Sequence, residues 1–265
     1  MLYYVVDAFS EKIFGGNPAG VCVLDDWLED ELMQNIAREN NLAETAFVVG
    51  EGPGYHLRWF TPSVEIELCG HATLATAFIL NRLYDGPSFM EFETLSGLLT
   101  VEAKGDLMEM NFPARQQAAV EVDERMKRAV PVPIVSAYGG YNLMLELQNE
   151  EAVRNLTPDI GAIKNLSEYH GLIVTAAGRK ADFVSRFFAP NLGVDEDPVT
   201  GSTHTSLIPF WAQRLGKNEL VAQQLSRRGG TVFCRAAGER VYISGRASLY
   251  LTGEINLESL KGQAG

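Results

Sequence analysis

The second half of this 265-residue sequence repeats the first in order, which restricts the fold more than any single motif. Arg58-Trp59-Phe60-Thr61-Pro62 returns as Arg186-Phe187-Phe188-Ala189-Pro190, an offset of 128 (58 to 186). The turn Gly70-His71-Ala72-Thr73 corresponds to Gly201-Ser202-Thr203-His204, an offset of 131 (70 to 201). The segment GLLTVEAKGDLMEMNF from Gly97 is matched by GTVFCRAAGERVYISG from Gly230, an offset of 133 (97 to 230). Any one match could be chance, but three in one order at a nearly constant spacing indicate duplication. Two similar domains are expected, residues 1–117 and 118–265. Their join falls between Pro113 and Pro133, where FPARQQAAVEVDE and VPVP interrupt the periodic pattern.

Each half reads as strands surrounding one buried helix. Residues 71–83, HATLATAFILNRL, are apolar around most of the circumference, as in a helix enclosed by other structure. The counterpart 203–215, THTSLIPFWAQRL, is similar, although Pro209 should kink it or confine its regular part to one side. Residues 27–39 instead carry Leu28, Leu32, Met33 and Ile36 on one face, an outer amphipathic helix with Asp26 and Glu29 as a capping-box variant. Alternating segments at 57–61, 98–103, 107–112, 231–235 and 240–244 predict strands, with hairpin turns at KGD (104–106) and AGE (237–239). The fold class is α+β, with two pseudo-symmetric barrel-like halves, each wrapped on a central helix.

Composition removes several classes of function. A 46% hydrophobic content suits a large globular core. MLYYVVDAFSEKIFGG has no basic lead or small-residue cleavage site, and no apolar run reaches the roughly 18 residues of a membrane span. A cytoplasmic protein without a membrane partner is expected. A formal charge of −12, with no basic run longer than pairs such as Arg227-Arg228, argues against nucleic acid. Cys22, Cys69 and Cys234 are an odd, widely spaced set, and His56, His71, His170 and His204 form no ligand-spaced pair. The expectation is therefore no disulfide framework, no metal and no cofactor.

The repeated glycine turn gives the helix starts a chemical meaning. First-turn N–H groups lack intrahelical partners, glycine permits close approach, and such a terminus binds anions. Gly70 and Gly201 each make either a tight strand-to-helix turn or half of a carboxylate site; their occurrence in both halves favours the site. Cys69 invites a two-thiol racemase mechanism, but the matching turn has Thr200, and a hydroxyl is far too weak an acid to replace a thiol. Cys69 then reads as a small buried residue at a strand end. In NNLAETAFVV, Glu44 stands at the edge of an apolar strand, either as a poised acid/base or as a salt bridge or cap, with equal weight from the local pattern. In GVDEDPVTGSTH, Asp197 is held by Pro198 nearest the Gly201 turn and is best placed to enter a cleft between the halves; Asp195 and Glu196 read as solvated.

Five stretches, FGGNPAGVCVL (14–24), NNLAETAFV (40–48), RWFTPSVEIELCGHATLATA (58–77), RFFAPNLGVDEDPVTGSTH (186–204) and SRRGG (226–230), resemble the phenazine-biosynthesis PhzF-like family. The resemblance implies the diaminopimelate-epimerase fold and a cofactor-independent isomerase. It further implies Glu44 as the proton shuttle, His71, Asp197 and Ser202 lining the same cleft, and Gly70 and Gly201 as backbone donors to a substrate carboxylate. The partner would be a small carboxylated metabolite, cyclic or open-chain, with a homodimer left open. Two alternatives stand beside this reading: an amino-acid epimerase or racemase, disfavoured by Thr200, and a non-catalytic metabolite- or partner-binding protein on the same fold.

Overall fold

A computed structural model describes residues 1–257 of the chain. In chain order the elements begin with β1 (Leu2–Ala8), β2 (Asn17–Leu24), α1 (Asp30–Asn40), β3 (Glu44–Glu51), β4 (Gly54–Phe60), β5 (Glu65–Ile66), α2 (Gly70–Leu83), β6 (Phe89–Thr94), β7 (Gly97–Lys104) and β8 (Leu107–Pro113). They continue with β9 (Ala118–Val120), α3 (Glu124–Ala129), β10 (Ile134–Gly139), β11 (Leu143–Leu147), α4 (Glu150–Arg154), α5 (Ile160–Lys164), β12 (Leu172–Ala177), β13 (Phe183–Ala189) and β14 (Val194–Asp197). The last are α6 (Gly201–Leu215), β15 (Glu219–Gln224), β16 (Gly230–Ala237), β17 (Arg240–Gly245) and β18 (Ala247–Glu254).

Among the described residues two units result, one of residues 1–14, 18–110 and 245–257, the other of residues 15–17 and 111–244. The division differs from the sequence expectation at 117/118 for reasons of hydrogen bonding. Asn111 takes Arg240 Nε on its Oδ1 at 2.9 Å, and Ala114 N–H reaches the Glu239 carbonyl at 2.8 Å, so the second unit captures the chain before residue 117. At the other end β18 leaves the second unit and pairs antiparallel with β1.

The duplication is written in the strand ladders. In the first unit β2 and β3 are parallel, β3 and β4 antiparallel, β4 and β6 parallel, and β6–β7 and β7–β8 antiparallel. In the second unit β11–β12, β12–β13, β13–β15, β15–β16 and β16–β17 follow the same succession. The KGD and AGE turns close equivalent hairpins, with Gly105 and Gly238 at φ of 63° and 64°, where a side chain would be strained.

Each central helix is buried along most of its length. In α2, residues 71–77 together with Ile79 and Leu80 are buried; in α6, residues 203–208, Trp211 and Ala212 are. Pro209 does not interrupt α6. Its ring removes the N–H that would bond the Thr205 carbonyl, and the backbone N–H of Arg115 supplies the missing donor at 3.0 Å. The outer helix α1 starts at Asp30, later than the sequence suggested, and makes no capping box. Glu29 at the N-cap accepts no side-chain cap bond, and the Asp26 carboxylate takes the Trp27 N–H at 2.8 Å.

The strand ahead of each central helix is pinned by the same ion pair. Arg58 donates Nε and Nη2 to the two carboxylate oxygens of Glu65 at 2.7 and 2.8 Å. Arg186 donates the same atoms to Glu196 at 2.7 and 3.0 Å, and its Nη1 also reaches the Val153 and Leu156 carbonyls. Glu196 is therefore committed to Arg186 and is not the solvated residue expected from the sequence; Asp195 is exposed. A lysine cannot make a bidentate fork while also serving two carbonyls. Arg186→Lys should lower the urea stability of the protein by about 1–3 kcal/mol, whereas the same change at exposed Arg227 or Arg179 should leave it within about 0.5 kcal/mol.

Candidate active site

In the first unit, β3 begins at Glu44 and α2 begins at Gly70, so strand pairing and helix packing place the carboxylate beside the first turn of the helix. Glu44 Oε2 lies 3.1 Å from His71 Nε2. On the opposite edge of the ring, Nδ1 lies 3.5 Å from the Cys69 sulfur. His71 and Cys69 are buried, and Glu44 keeps a partly exposed side chain. Cys69 is thus in contact with His71, which the sequence pattern did not signal.

The three groups have distinct electrostatics. Burial works against charge on His71, but Cys69 and Glu44 outweigh it and hold the imidazole well above its ordinary pKa of 6.5. Burial, joined by the Glu44 charge, raises the Cys69 thiol, with His71 and the Ala72 N–H opposing. A protonated thiol is a poor nucleophile. Glu44, Cys69 and His71 bring donor atoms within 4.8 Å of one another.

In the second unit, β14 ends at Asp197 and α6 begins at Gly201. The Thr200 hydroxyl donates to Asp197 Oδ2, and Asn17 Nδ2 donates to Oδ1 at 2.8 Å. Threonine at an N-cap normally serves the helix N–H groups, yet neither Cys69 nor Thr200 caps its own helix through the side chain. The first-turn N–H groups behind Gly70 and Gly201 are thus not taken by their N-cap side chains. Ser202, half-buried, follows Gly201 in that turn. His204, fully buried on the same helix, is set apart from catalysis: its Nδ1 donates to the Thr200 carbonyl at 2.8 Å, and burial lowers its pKa to about 4.

Register identifies the counterparts of the two acids. Phe47 faces Arg58 and Val174 faces Arg186, so Glu44 corresponds to Gly171. A Cβ on Gly171 would meet the Phe187 ring at 2.5 Å, so no side chain fits there. Trp59 faces Ile66 and Phe187 faces Asp197, so Asp197 corresponds to Ile66. The two copies have kept the frame and divided the chemistry.

The sequence profile of the phenazine biosynthesis-like proteins matches residues 6–253. The chain belongs to this family. An uncharacterized isomerase of Pseudomonas aeruginosa is 53% identical over 257 residues, spanning 96% of this chain and 98% of that protein. The crystal structure of a PhzF-family phenazine biosynthesis protein from Enterococcus faecalis matches with a TM-score of 0.95 at 48% identity, covering 97% of this chain and 99% of that one. A Pseudomonas aeruginosa protein described as a predicted epimerase shares the fold at a TM-score of 0.73 and 21% identity, over 96% and 98% of the two chains. The chain is a PhzF-like isomerase on the diaminopimelate-epimerase-like fold. Among the described residues no helix is long and apolar enough to cross a membrane.

The two buried histidines should titrate in opposite directions. An imidazole whose folded pKa is raised adds stability that is complete below the unfolded value and is lost as pH rises through the folded one. One with a depressed pKa removes stability as pH falls from 6.5 towards 4. In histidine NMR titrations, His71 should remain an imidazolium at pH 7 and His204 should stay neutral until about pH 4. Burying His204 uncharged should cost roughly 3 kcal/mol of stability between pH 6.5 and 4.

Proposed function

We propose that this isomerase moves a proton between two carbons of a small carboxylated metabolite, with Glu44 as the one group that takes the proton and returns it. The observation that carries this reading is the pairing of Glu44 with His71 at 3.1 Å in the first unit, against a register counterpart, Gly171, that has no room for any side chain. A single base favours a shift along one face of the substrate. A racemase of the two-base kind needs a second proton carrier on the opposite face, and Thr200, which stands where a second thiol would be, spends its hydroxyl on Asp197.

In this mechanism the Glu44 carboxylate removes a proton from carbon and the electron pair left behind spreads into the conjugated system of the substrate. The resulting carboxylic acid delivers the same proton to a second carbon, so the enzyme ends as it began. His71, cationic and 3.1 Å away, orients Glu44 and balances its charge. The first-turn N–H groups at Gly70, beside Glu44 and His71, serve the substrate carboxylate, where the helix dipole favours negative charge. In the second unit, Asp197 and Ser202 are the hydrogen-bonding groups offered to substrate. With a net charge of −12, an anionic substrate depends on these local donors and not on the field of the whole protein.

Glu44→Gln keeps the size and hydrogen-bonding capacity of the side chain but cannot accept a proton. On a substrate found by screening carboxylated metabolites for deuterium uptake in deuterated water, this variant should lose turnover by about 10²–10⁴-fold or more. Binding of an unreactive analogue, read by thermal shift, should persist. A variant that turns over normally would remove Glu44 from the mechanism. Cys69→Ala should stay within about tenfold of wild type, since Thr200 stands where a second thiol would have to complete a two-base cycle; a thousandfold loss would reinstate thiol chemistry.

A further inference from the structure

Two of the motifs that mark this sequence, GGNP at 15–18 and SRRGG at 226–230, contribute nothing to the proton transfer just described, yet both converge on Asp197. Asn17 is fully buried, and its amide nitrogen donates one hydrogen to Asp197 Oδ1 at 2.8 Å and the other to the Val199 carbonyl at 2.9 Å. Both of its N–H donors are therefore used, and their acceptors fix which end of the amide faces the carboxylate. Gln224, also buried, is oriented with equal certainty. Its Oε1 accepts the Thr200 N–H at 2.9 Å, so its Nε2 must be the end that donates to the Asp197 carbonyl at 2.8 Å and to the Thr200 hydroxyl oxygen at 3.2 Å. With that oxygen accepting from Gln224, the hydroxyl proton of Thr200 points to Asp197 Oδ2.

The segment that carries Asn17 is fastened in turn. Arg228 donates Nε to the Gly16 carbonyl at 2.8 Å and Nη2 to the Gly15 carbonyl at 2.9 Å, and the Gly16 N–H reaches the Gly229 carbonyl at 2.7 Å. Ser226 donates to the Pro198 carbonyl at 2.7 Å and accepts from the Gly229 N–H at 3.0 Å, tying the SRRGG turn to the loop that follows Asp197. Three ionisable groups stand near this carboxylate in the chain of the second unit. Glu196 on the same strand is held by Arg186, Asp195 is exposed, and His204 is neutral and bonded to the Thr200 carbonyl.

We propose that Asn17 and Thr200 are positioning residues that hold Asp197 as a fixed, ionised hydrogen-bond acceptor, with Arg228 securing Asn17 and Gln224 setting the direction of the Thr200 hydroxyl. Hydrogen bonds donated to both carboxylate oxygens favour the charged form. Asp197 then acts on the substrate as a stationary acceptor, and Glu44 is left as the mobile proton carrier. The same arrangement accounts for threonine at the position equivalent to Cys69: the position needs a neutral donor and not an acid. The inference rests on the reading that Asp197 serves the isomerase reaction, but its test does not need a substrate.

The test is the titration of Asp197 in protein labelled with ¹³C at aspartate Cγ, its resonance assigned by loss in Asp197→Asn. Thr200→Val keeps the shape and removes the donor, and Asn17→Ala removes the other donor; each should raise the Asp197 midpoint by about one pH unit or more. Thr200→Ser restores a hydroxyl and should bring the midpoint back towards wild type. Arg228→Ala, which leaves both donors present and loosens the segment that carries Asn17, should raise it by less, and this variant decides the matter if Thr200→Val does not fold. An Asp197 midpoint unmoved in folded Thr200→Val and Asn17→Ala, or a Thr200→Ser protein that behaves like the valine variant, would overturn the positioning role. Failure of Glu44→Gln to impair turnover would leave these titrations as they are, so the two readings fail separately.

Discussion

Each unit depends on burying a helix that has no polar face. A helix such as α2, enclosed from His71 to Ala77, cannot lie on a sheet and leave its other side to water; strands must surround it, and β1, β3, β7 and β18 all pack against it. Burial of this kind contributes roughly 1.5–3 kcal/mol for each large apolar side chain. It also has a geometric result. Once the sides of the helix are covered, its N-terminal turn is where polar chemistry can gather, and the bidentate Arg58–Glu65 and Arg186–Glu196 pairs fix the strands that lead into that turn.

On this common frame the two copies have diverged at the positions that matter for chemistry. The first unit has Glu44, Cys69 and His71 where the second has Gly171, Thr200 and Ser202; the second has Asp197 where the first has Ile66. The difference at Gly171 is enforced by packing, because the Phe187 ring occupies the space a side chain would need. Duplication thus supplied two helix termini of the same kind, and packing around each one determined which has room for a carboxylate beside it.

The histidines show how far the local surroundings decide a role. His71 and His204 are both buried on the first turn of a central helix. A carboxylate and a sulfur face the two nitrogens of His71 and favour its charged form, while a carbonyl on Nδ1 and burial among Phe183 and Trp211 favour the neutral form of His204. A neutral His204 can brace the Thr200 turn without adding a charge beside Asp197. A charged His71 faces the Glu44 carboxylate, 3.1 Å away.

Much of this was legible in the sequence. The repeat, the two enclosed helices and the hairpins at Gly105 and Gly238 stand out because periodicity and glycine turns are local properties of the chain, while Glu44, His71, Asp197, Ser202, Gly70 and Gly201 enter as candidates through turn patterns and motifs that resemble the family. What the sequence could not settle depended on which distant groups meet. Glu196 read as solvated because its partner Arg186 lies on another strand, and Pro209 read as a kink because the replacement donor is the N–H of Arg115. Asn17 and Arg228 carried only a family resemblance, since their hydrogen bonds to Asp197, Gly15 and Gly16 cross 180 and more positions of chain. The division at 117/118 moved because Asn111 and Ala114 bond to Arg240 and Glu239, more than 120 positions away in the chain. Periodicity records how each segment must be buried; it carries no information on which side chain will complete another's hydrogen bonds, and only the closed tertiary structure, by leaving no buried polar group unanswered without cost, decides that.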